Sequence, residues 1–191
     1  MTYPQRPRRS VRVRGYDYSA PGAYFVTMCV HEHASLFGEI ANAEMRLNSA
    51  GQMAWTAWNE LPTRFSCVCV DEFIVMPNHI HGIIIVVGAQ FIAPSQCIAP
   101  DPTPDHAHAA SAINQGAMNR APTLGHVVRA YKATSTRFIR AAVDPGFGWQ
   151  RNYYEHIIRD ETSLNRIREY IQNNPARWAE DPENPDAVRA Q

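Results

Sequence analysis

This sequence of 191 residues has a single lysine and no net charge. It also lacks cysteine motifs and long apolar runs. Lys132 is the only lysine among 18 basic residues, and 18 acidic residues balance them to a net charge of zero. A zero net charge weighs slightly against a strong nucleic-acid binder. No apolar run reaches the roughly 18 residues that a membrane span needs. The opening residues, MTYPQRPRRSVRVR, lack the apolar centre of a signal peptide. We therefore expect a cytoplasmic protein with no membrane partner.

The cysteines do not form a recognisable metal or disulfide pattern. Cys29, Cys67, Cys69 and Cys97 contain no Cys-x-x-Cys pair, and three of them lie in apolar, strand-like runs. In such runs cysteine usually behaves as a small buried hydrophobe. We expect buried thiols rather than a disulfide framework or a zinc site.

The stretch 70–87, VDEFIVMPNHIHGIIIVV, is the most informative part of the chain. Two β-rich runs are separated by Pro77-Asn78, a dipeptide that is typical of turns. His79 and His81 open the second run, and residues two apart on a strand point to the same face. The run that follows is apolar on both faces, which indicates a strand in the middle of a sheet. Two imidazoles side by side on a rigid strand make half of a metal site.

The His-x-His spacing is not specific by itself, because it occurs twice more. His31 and His33 follow a strand-like run, next to a polar stretch, and His106 and His108 lie in a segment rich in alanine and proline. Neither context offers a buried strand as a scaffold. We expect no functional metal site at either of these pairs.

Hydrophobic periodicity predicts alternating strands and helices around this hairpin. The predicted elements are strands over 23–30 and 154–158 and helices over 48–61, 123–143 and about 160–173. The predicted fold class is therefore α+β: a ferredoxin-like sandwich, in which a four-stranded antiparallel sheet carries helices on one face. The chain divides into a basic arm at 1–20, a single domain at 21–177 with a flexible insertion at 88–122, and an acidic, poorly ordered tail at 178–191.

Arginine is segregated along the chain. Residues 1–14 carry basic residues and no acidic ones, and 120–168 carry nine basic against four acidic residues. Arginine binds phosphate with two parallel hydrogen bonds, so this distribution fits a nucleic-acid face. An arginine-rich coding bias explains it equally well.

The last predicted helix brings a tyrosine and an amide to one face. Tyr170 and Asn174 are four residues apart, beside the apolar stripe that packs on the sheet. A phenol is a poor nucleophile at neutral pH, and a cation that polarises a target phosphate lowers the demand on it. His79, His81 and the Asn174 oxygen would give three ligands, a nitrogen and oxygen set that suits Mg²⁺ or Mn²⁺ better than zinc.

Several motifs together resemble a known family. The run MPNHIHGIIIV resembles the histidine motif of single-tyrosine HUH endonucleases, and REYIQNNP resembles their nucleophile helix. WQRNYYEHIIRDE and GYDYSAPGAYFVTMCV are similar to segments of the REP-associated tyrosine transposases, which are relatives of insertion-sequence transposases. The resemblance covers roughly 10–87 and 121–177.

The resemblance implies metal-assisted cleavage and rejoining of hairpin-containing single-stranded DNA by a nucleoid-associated transposase. Tyr170 would form a 5′-phosphotyrosine bond, with His79, His81 and Asn174 as ligands of Mg²⁺ or Mn²⁺. By analogy, DNA phosphates would be bound by a set of basic residues: Arg12, Arg14, Arg129, Lys132, Arg137 and Arg140. Relatives act as monomers or as homodimers that exchange the tyrosine helix, so a homodimer is also an expectation.

Three other functions fit the same motifs. An HUH replication or mobilisation nickase shares the chemistry, although such proteins usually carry a second domain. A hairpin-DNA binding protein without cleavage would keep the fold alone. A metal-dependent hydrolase that uses water would cleave without Tyr170, which separates it from the tyrosine nucleases.

Overall fold

The fold is organised around a four-stranded antiparallel sheet. The structure is a computed structural model that describes residues 16–18, 20–86 and 122–187. In chain order its elements are β1 (Gly22–Cys29), β2 (Gly38–Ala41), β3 (Glu44–Leu47), α1 (Ser49–Asn59), α2 (Leu61–Arg64), β4 (Val68–Val75), β5 (His79–Val86), α3 (Leu124–Ala142), β6 (Tyr154–Ile158) and α4 (Glu161–Asn173). Antiparallel pairing gives the sheet order β4-β5-β1-β6. This order is ferredoxin-like, so the predicted α+β fold class is confirmed.

Helices α1 and α3 cover one face of the sheet. Their buried side chains, Trp58 and Tyr131 among them, pack against Ile80 and Ile84 of β5 in one hydrophobic cluster. The helix starts are capped as their sequences favour: the Asn48 side chain accepts from Gly51 N at α1, and Thr123 caps α3. The bulk of the core therefore lies on this side.

Helix α4 covers the opposite face, where the sequence analysis expected no helix. Leu164 and Ile171 are buried against Ile83 and Ile85 in a second cluster. The physical reason is in β5 itself, which is buried on both faces and needs an apolar partner on each side. Each fully buried side chain of this size contributes about 1.5–3 kcal/mol. The expectation of helices on one face only was wrong.

The hairpin of β2 and β3 was not predicted. Asn42 and Ala43 connect the strands with φ angles of 54° and 62°, which is the backbone of a tight type I′ turn. Alanine is uncommon at such a position, so the turn lacks the usual glycine signal.

Some predictions fall on residues outside the described ranges. Arg12 and Arg14 lie there, as do His106 and His108, Cys97 and most of the predicted insertion. Cys29, Cys67 and Cys69 form no disulfide with one another. None of the described helices has the length and apolar character that a bilayer crossing requires.

Candidate active site

The two histidines of β5 project from the sheet face that α4 covers. The strand register pairs His81 with Thr27 and His79 with Cys29 on the neighbouring strand β1. Ile80 points to the other face and joins the core beneath α1 and α3. The predicted placement of both imidazoles on one face of a central strand therefore agrees with the structure.

Hydrogen bonds orient the two rings toward one another. His79 Nδ1 lies 2.8 Å from Asn78 Oδ1, and His81 Nδ1 lies 2.8 Å from Thr27 Oγ1. Both partners can accept a proton from Nδ1, which leaves Nε2 as the lone-pair nitrogen of each ring. The two Nε2 atoms are 3.0 Å apart. Adjacent ligands of an octahedral Mg²⁺ ion are separated by about 3 Å, so this spacing fits one shared cation.

Both rings are electrically neutral at physiological pH. Burial, with a smaller effect of the nearby His33, lowers the pKa of His79 to about 3. Burial also lowers the pKa of His81 well below its usual value, and the neighbouring His79 adds to the decrease. A neutral imidazole is the form that binds a metal ion.

The tail after α4 supplies a carboxylate that the sequence analysis missed. Asp181 is buried, and its Oδ2 lies 4.0 Å from His79 Nε2. Its ligand oxygen and the two histidine nitrogens all lie within 4.8 Å of one another. The acidic tail at 178–191 was predicted to be poorly ordered. A short 3₁₀ helix, Pro175–Glu180, instead leads Asp181 under the histidines.

Asn174 lies against this carboxylate. Its Nδ2 donates to Asp181 Oδ2 at 3.1 Å, and its own Oδ1 is buried without a hydrogen-bond donor among the described residues. Buried amide oxygens are nearly always bonded, so an orphaned one on the residue that contacts Asp181 suits a bound cation or water. The donor chemistry of the cluster thus fits Mg²⁺ or Mn²⁺.

Tyr170 reaches the same point from α4. Its hydroxyl oxygen lies 3.4 Å from His81 Nε2, and its ring contacts the rings of His81 and Phe25. The side chain is 40% exposed, so a large substrate can approach it. Burial of the hydroxyl and the nearby Asp181 carboxylate raise the pKa of Tyr170 to about 12. A hydrogen bond with Asn174 acts in the opposite direction and lowers this pKa by a smaller amount than burial raises it. Without a cation the phenol therefore stays protonated.

Polar contacts fix α4 on the edge strand β4. The strand register shifts between Val70 and Phe73, and the two acidic residues at this irregularity face the helix. Arg168 Nε and Nη2 bond Asp71 Oδ1 and Oδ2 at 2.8 and 2.5 Å, and Gln172 donates to Glu72. Irregular strand segments commonly redirect side chains in this way. Arg168 is two residues from Tyr170, so the pair helps to set the position of the phenol.

The predicted phosphate-binding residues of α3 lie across the sheet from this site. Arg129, Arg137 and Arg140 are exposed. Arg140 Nε donates to the Phe147 carbonyl at 2.7 Å. Lys132 Nζ donates to the carbonyls of Gln150 and Asn152 at 2.8 and 2.9 Å, so it supports the segment before β6.

Comparison with known proteins adds a relative and a fold. No protein-family model matches the chain. A protein of Haemophilus influenzae (strain Rd), described as uncharacterised, is 41% identical over 174 residues, which cover 91% of each chain.

The solved structure of a REP-associated tyrosine transposase bound to a REP hairpin matches with a TM-score of 0.52 and 17% identity, over 91% of this chain and 81% of that one. A candidate transposase from Deinococcus radiodurans R1 is 15% identical over 85% of this chain and 95% of that one, and its TM-score of 0.45 is too low to add to the assignment. The resemblance predicted from the motifs is thus confirmed at the level of the fold.

Proposed function

We propose that this chain, which belongs to one family with the uncharacterised Haemophilus influenzae protein, is a metal-dependent single-tyrosine transposase that cleaves and rejoins single-stranded DNA beside a hairpin. The observation that carries the proposal is the 3.4 Å approach of the Tyr170 hydroxyl to His81 Nε2, at the edge of a buried cluster of nitrogen and oxygen ligands. A nucleophile beside a cation site is the arrangement that phosphodiester transfer requires.

In this proposal His79, His81 and Asp181 hold the cation, and Asn174 contributes its buried oxygen. Bound Mg²⁺ or Mn²⁺ would polarise the target phosphate and favour the ionised phenol. The phenol of Tyr170 would release its proton to solvent as its oxygen bonds to phosphorus. The bond from phosphorus to the 3′ oxygen breaks, and that oxygen takes up a proton from solvent and leaves as a hydroxyl. A 3′ hydroxyl then attacks the 5′-phosphotyrosine and releases Tyr170 as the strand is rejoined.

Hairpin DNA is the proposed substrate because the tyrosine transposase of the same fold was solved with a REP hairpin. The exposed arginines of α3 would bind phosphates of the duplex part, together with Arg12 and Arg14 of the basic arm. Since these side chains of α3 lie across the sheet from Tyr170, they would hold the hairpin and not the reacting phosphate. Lys132 would act on DNA indirectly, through the loop that its ammonium group supports.

We further propose that Tyr170 acts on the cation site of its own chain. The ion pair of Arg168 with Asp71 and the burial of Ile171 hold α4 over the same sheet that carries the histidines. Exchange of α4 between two subunits would break these contacts and remake them across the dimer, so a homodimer is not needed for a complete site.

The test uses purified protein, Mn²⁺ or Mg²⁺ and end-labelled single-stranded DNA from the hairpin repeats that flank its gene. Products are separated on a denaturing gel. We expect a covalent protein–DNA band in the wild type that needs the cation and is lost in Tyr170→Phe and His79→Ala. Tyr154→Phe is the matched control, because Tyr154 is 43% exposed, similar to Tyr170, and contacts the same Phe25 ring.

The outcomes separate the candidate functions. Cleavage that survives Tyr170→Phe without an adduct would contradict the proposal and indicate a hydrolase that uses water. Binding without cleavage in every lane would indicate a hairpin-binding protein. A nickase would give the adduct but would not rejoin the cleaved strand to a second hairpin end, whereas a transposase would.

A further inference from the structure

A second group of metal-ligating side chains lies beside the first. Cys29, His33 and Glu183 place one sulfur, one nitrogen and one oxygen atom within 4.8 Å of one another. Cys29 is the residue that pairs with His79 across β1 and β5, so both groups share one face of the sheet. The nuclease proposal uses none of these three side chains.

The spacing of the ligand atoms fits a tetrahedral ion. Glu183 Oε2 lies 3.4 Å from Cys29 Sγ and 3.3 Å from His33 Nδ1. Zinc binds sulfur, nitrogen and oxygen ligands at about 2.0–2.3 Å, so the edges of its tetrahedron measure about 3.3–3.7 Å. Both distances match these edges, and the sulfur and the His33 nitrogen lie within 4.8 Å of one another.

The His33 ring is oriented with its Nδ1 edge toward this group. Its Nε2 lies 2.7 Å from the side-chain nitrogen of Gln150, which donates to it. An ion bound at Nδ1 would replace the proton there. Nδ1 is buried and makes no hydrogen bond to any residue of the described ranges. The turn that carries His33 is strained, because Glu32 and His33 have φ angles of 58° and 55°. Strain of this kind concentrates where a side chain must be held for a ligand.

The second group is connected to the first through the tail. Glu183 N donates to Asp181 Oδ1 at 2.7 Å, so one tight turn holds the carboxylate of each group. Asn78 joins the same network: its Oδ1 faces His79 Nδ1, and its Nδ2 donates to the Glu183 carbonyl at 2.7 Å. An ion bound by Glu183 would therefore also fix Asp181.

We propose that Cys29, His33 and Glu183 form a zinc site that anchors the tail and thereby positions Asp181. A thiolate ligand favours a soft ion such as Zn²⁺ over Mg²⁺ or Mn²⁺. The thiol proton, which points to Glu183 in the described structure, is released to solvent when the sulfur binds the ion. Three protein ligands leave the fourth position to water. Binding of zinc does not depend on the nuclease activity, whereas the role of Asp181 as a cation ligand rests on the proposed function.

The experiment titrates metal-free, full-length protein with Co²⁺, which substitutes for zinc and reports a bound thiolate by a charge-transfer absorption band. We expect this band to saturate at one equivalent and to disappear when Zn²⁺ is added. The band is lost in Cys29→Ser. In His33→Ala the affinity for Co²⁺, measured from the same band, falls at least tenfold. The band is retained in Cys67→Ser, the thiol control, and in His81→Ala, which disables the neighbouring cation site.

Two further arms keep the result decisive. Circular dichroism shows whether each variant folds, and His33→Ala changes a partly exposed turn residue, so it remains informative if Cys29→Ser misfolds. In His81→Ala protein, Zn²⁺ is expected to slow amide hydrogen exchange in the tail around Asp181. Absence of a thiolate band in the wild type, or a full band in folded Cys29→Ser, overturns the site. Unchanged exchange in the tail overturns its anchoring role.

Discussion

The ion pair between Arg168 and Asp71 is expected to fix the position of the Tyr170 hydroxyl relative to the two histidines. The perturbation is a pair of single substitutions, Arg168→Met and Asp71→Asn, together with the double variant. Each removes one charge and keeps most of the side-chain volume. The double variant removes both charges and leaves neither one buried alone.

The structure sets the size of the effect. The two side chains are 24% and 6% exposed and share two short, charge-assisted hydrogen bonds. Breaking a fully buried pair costs about 3–5 kcal/mol, and an exposed pair contributes under about 1 kcal/mol. For this half-buried geometry we expect Arg168→Met to lower the free energy of unfolding by about 2–3 kcal/mol, and the cycle to give a coupling energy of about 1–2 kcal/mol. In a chain of this size that loss lowers Tm by roughly 4–12 °C.

The assay combines urea unfolding with single-turnover DNA cleavage. Arg166→Met is the matched control, because Arg166 is an exposed arginine of the same helix, and its unfolding free energy should stay within about 0.5 kcal/mol of the wild type. The cleavage step in Arg168→Met should slow by about tenfold to a hundredfold, since a displacement of 1 Å can cost that much. The affinity for Mn²⁺ should not change, because the histidines do not touch the pair.

A coupling energy under about 0.5 kcal/mol would refute the reasoning for stability. An unchanged cleavage rate in a variant that has lost stability would refute the positioning role. It would mean that the apolar contacts of α4 suffice to place the phenol.

Four other outcomes are expected. Ile171→Ala, which removes a fully buried side chain of α4, should cost about 2–5 kcal/mol in urea unfolding, whereas Trp55→Ala, 51% exposed on α1, should cost far less. Gly82→Ala should cost about 1–3 kcal/mol, because the new methyl carbon would stand 2.5 Å from an indole ring of α1 unless the core shifts. Mn²⁺ at a hundred times its dissociation constant should stabilise the wild type by about 2.7 kcal/mol in thermal unfolding and have no such effect on His79→Ala. Arg137→Gln should reduce the slope of log affinity for hairpin DNA against log salt concentration by about 1, without slowing cleavage of bound DNA. An unchanged slope would exclude Arg137 from the phosphate contacts.

Local sequence patterns predicted the strands, the helices and the groups that these elements present. The spacing of His79 and His81 in an apolar run identified a buried strand with both imidazoles on one face. This works because successive side chains of a strand point to opposite faces. Helix starts were equally local: Asp160 caps α4 by accepting from Ser163 N at 2.7 Å. With the tyrosine four residues before Asn174, these patterns were sufficient for the fold class and for most of the proposed site.

Tertiary structure alone decided which side chains complete the site. Asp181 follows the last helix in a polar segment with no periodicity, and only the turn of the tail beneath the sheet brings it to His79. Cys29 and His33 likewise meet Glu183 from opposite ends of the chain. Such contacts depend on how separate elements pack and not on neighbouring residues, so no spacing in the sequence records them. The sequence determined the strand, the helix and their reactive groups, and the packing of α4 and the tail on the second face of the sheet determined which groups meet.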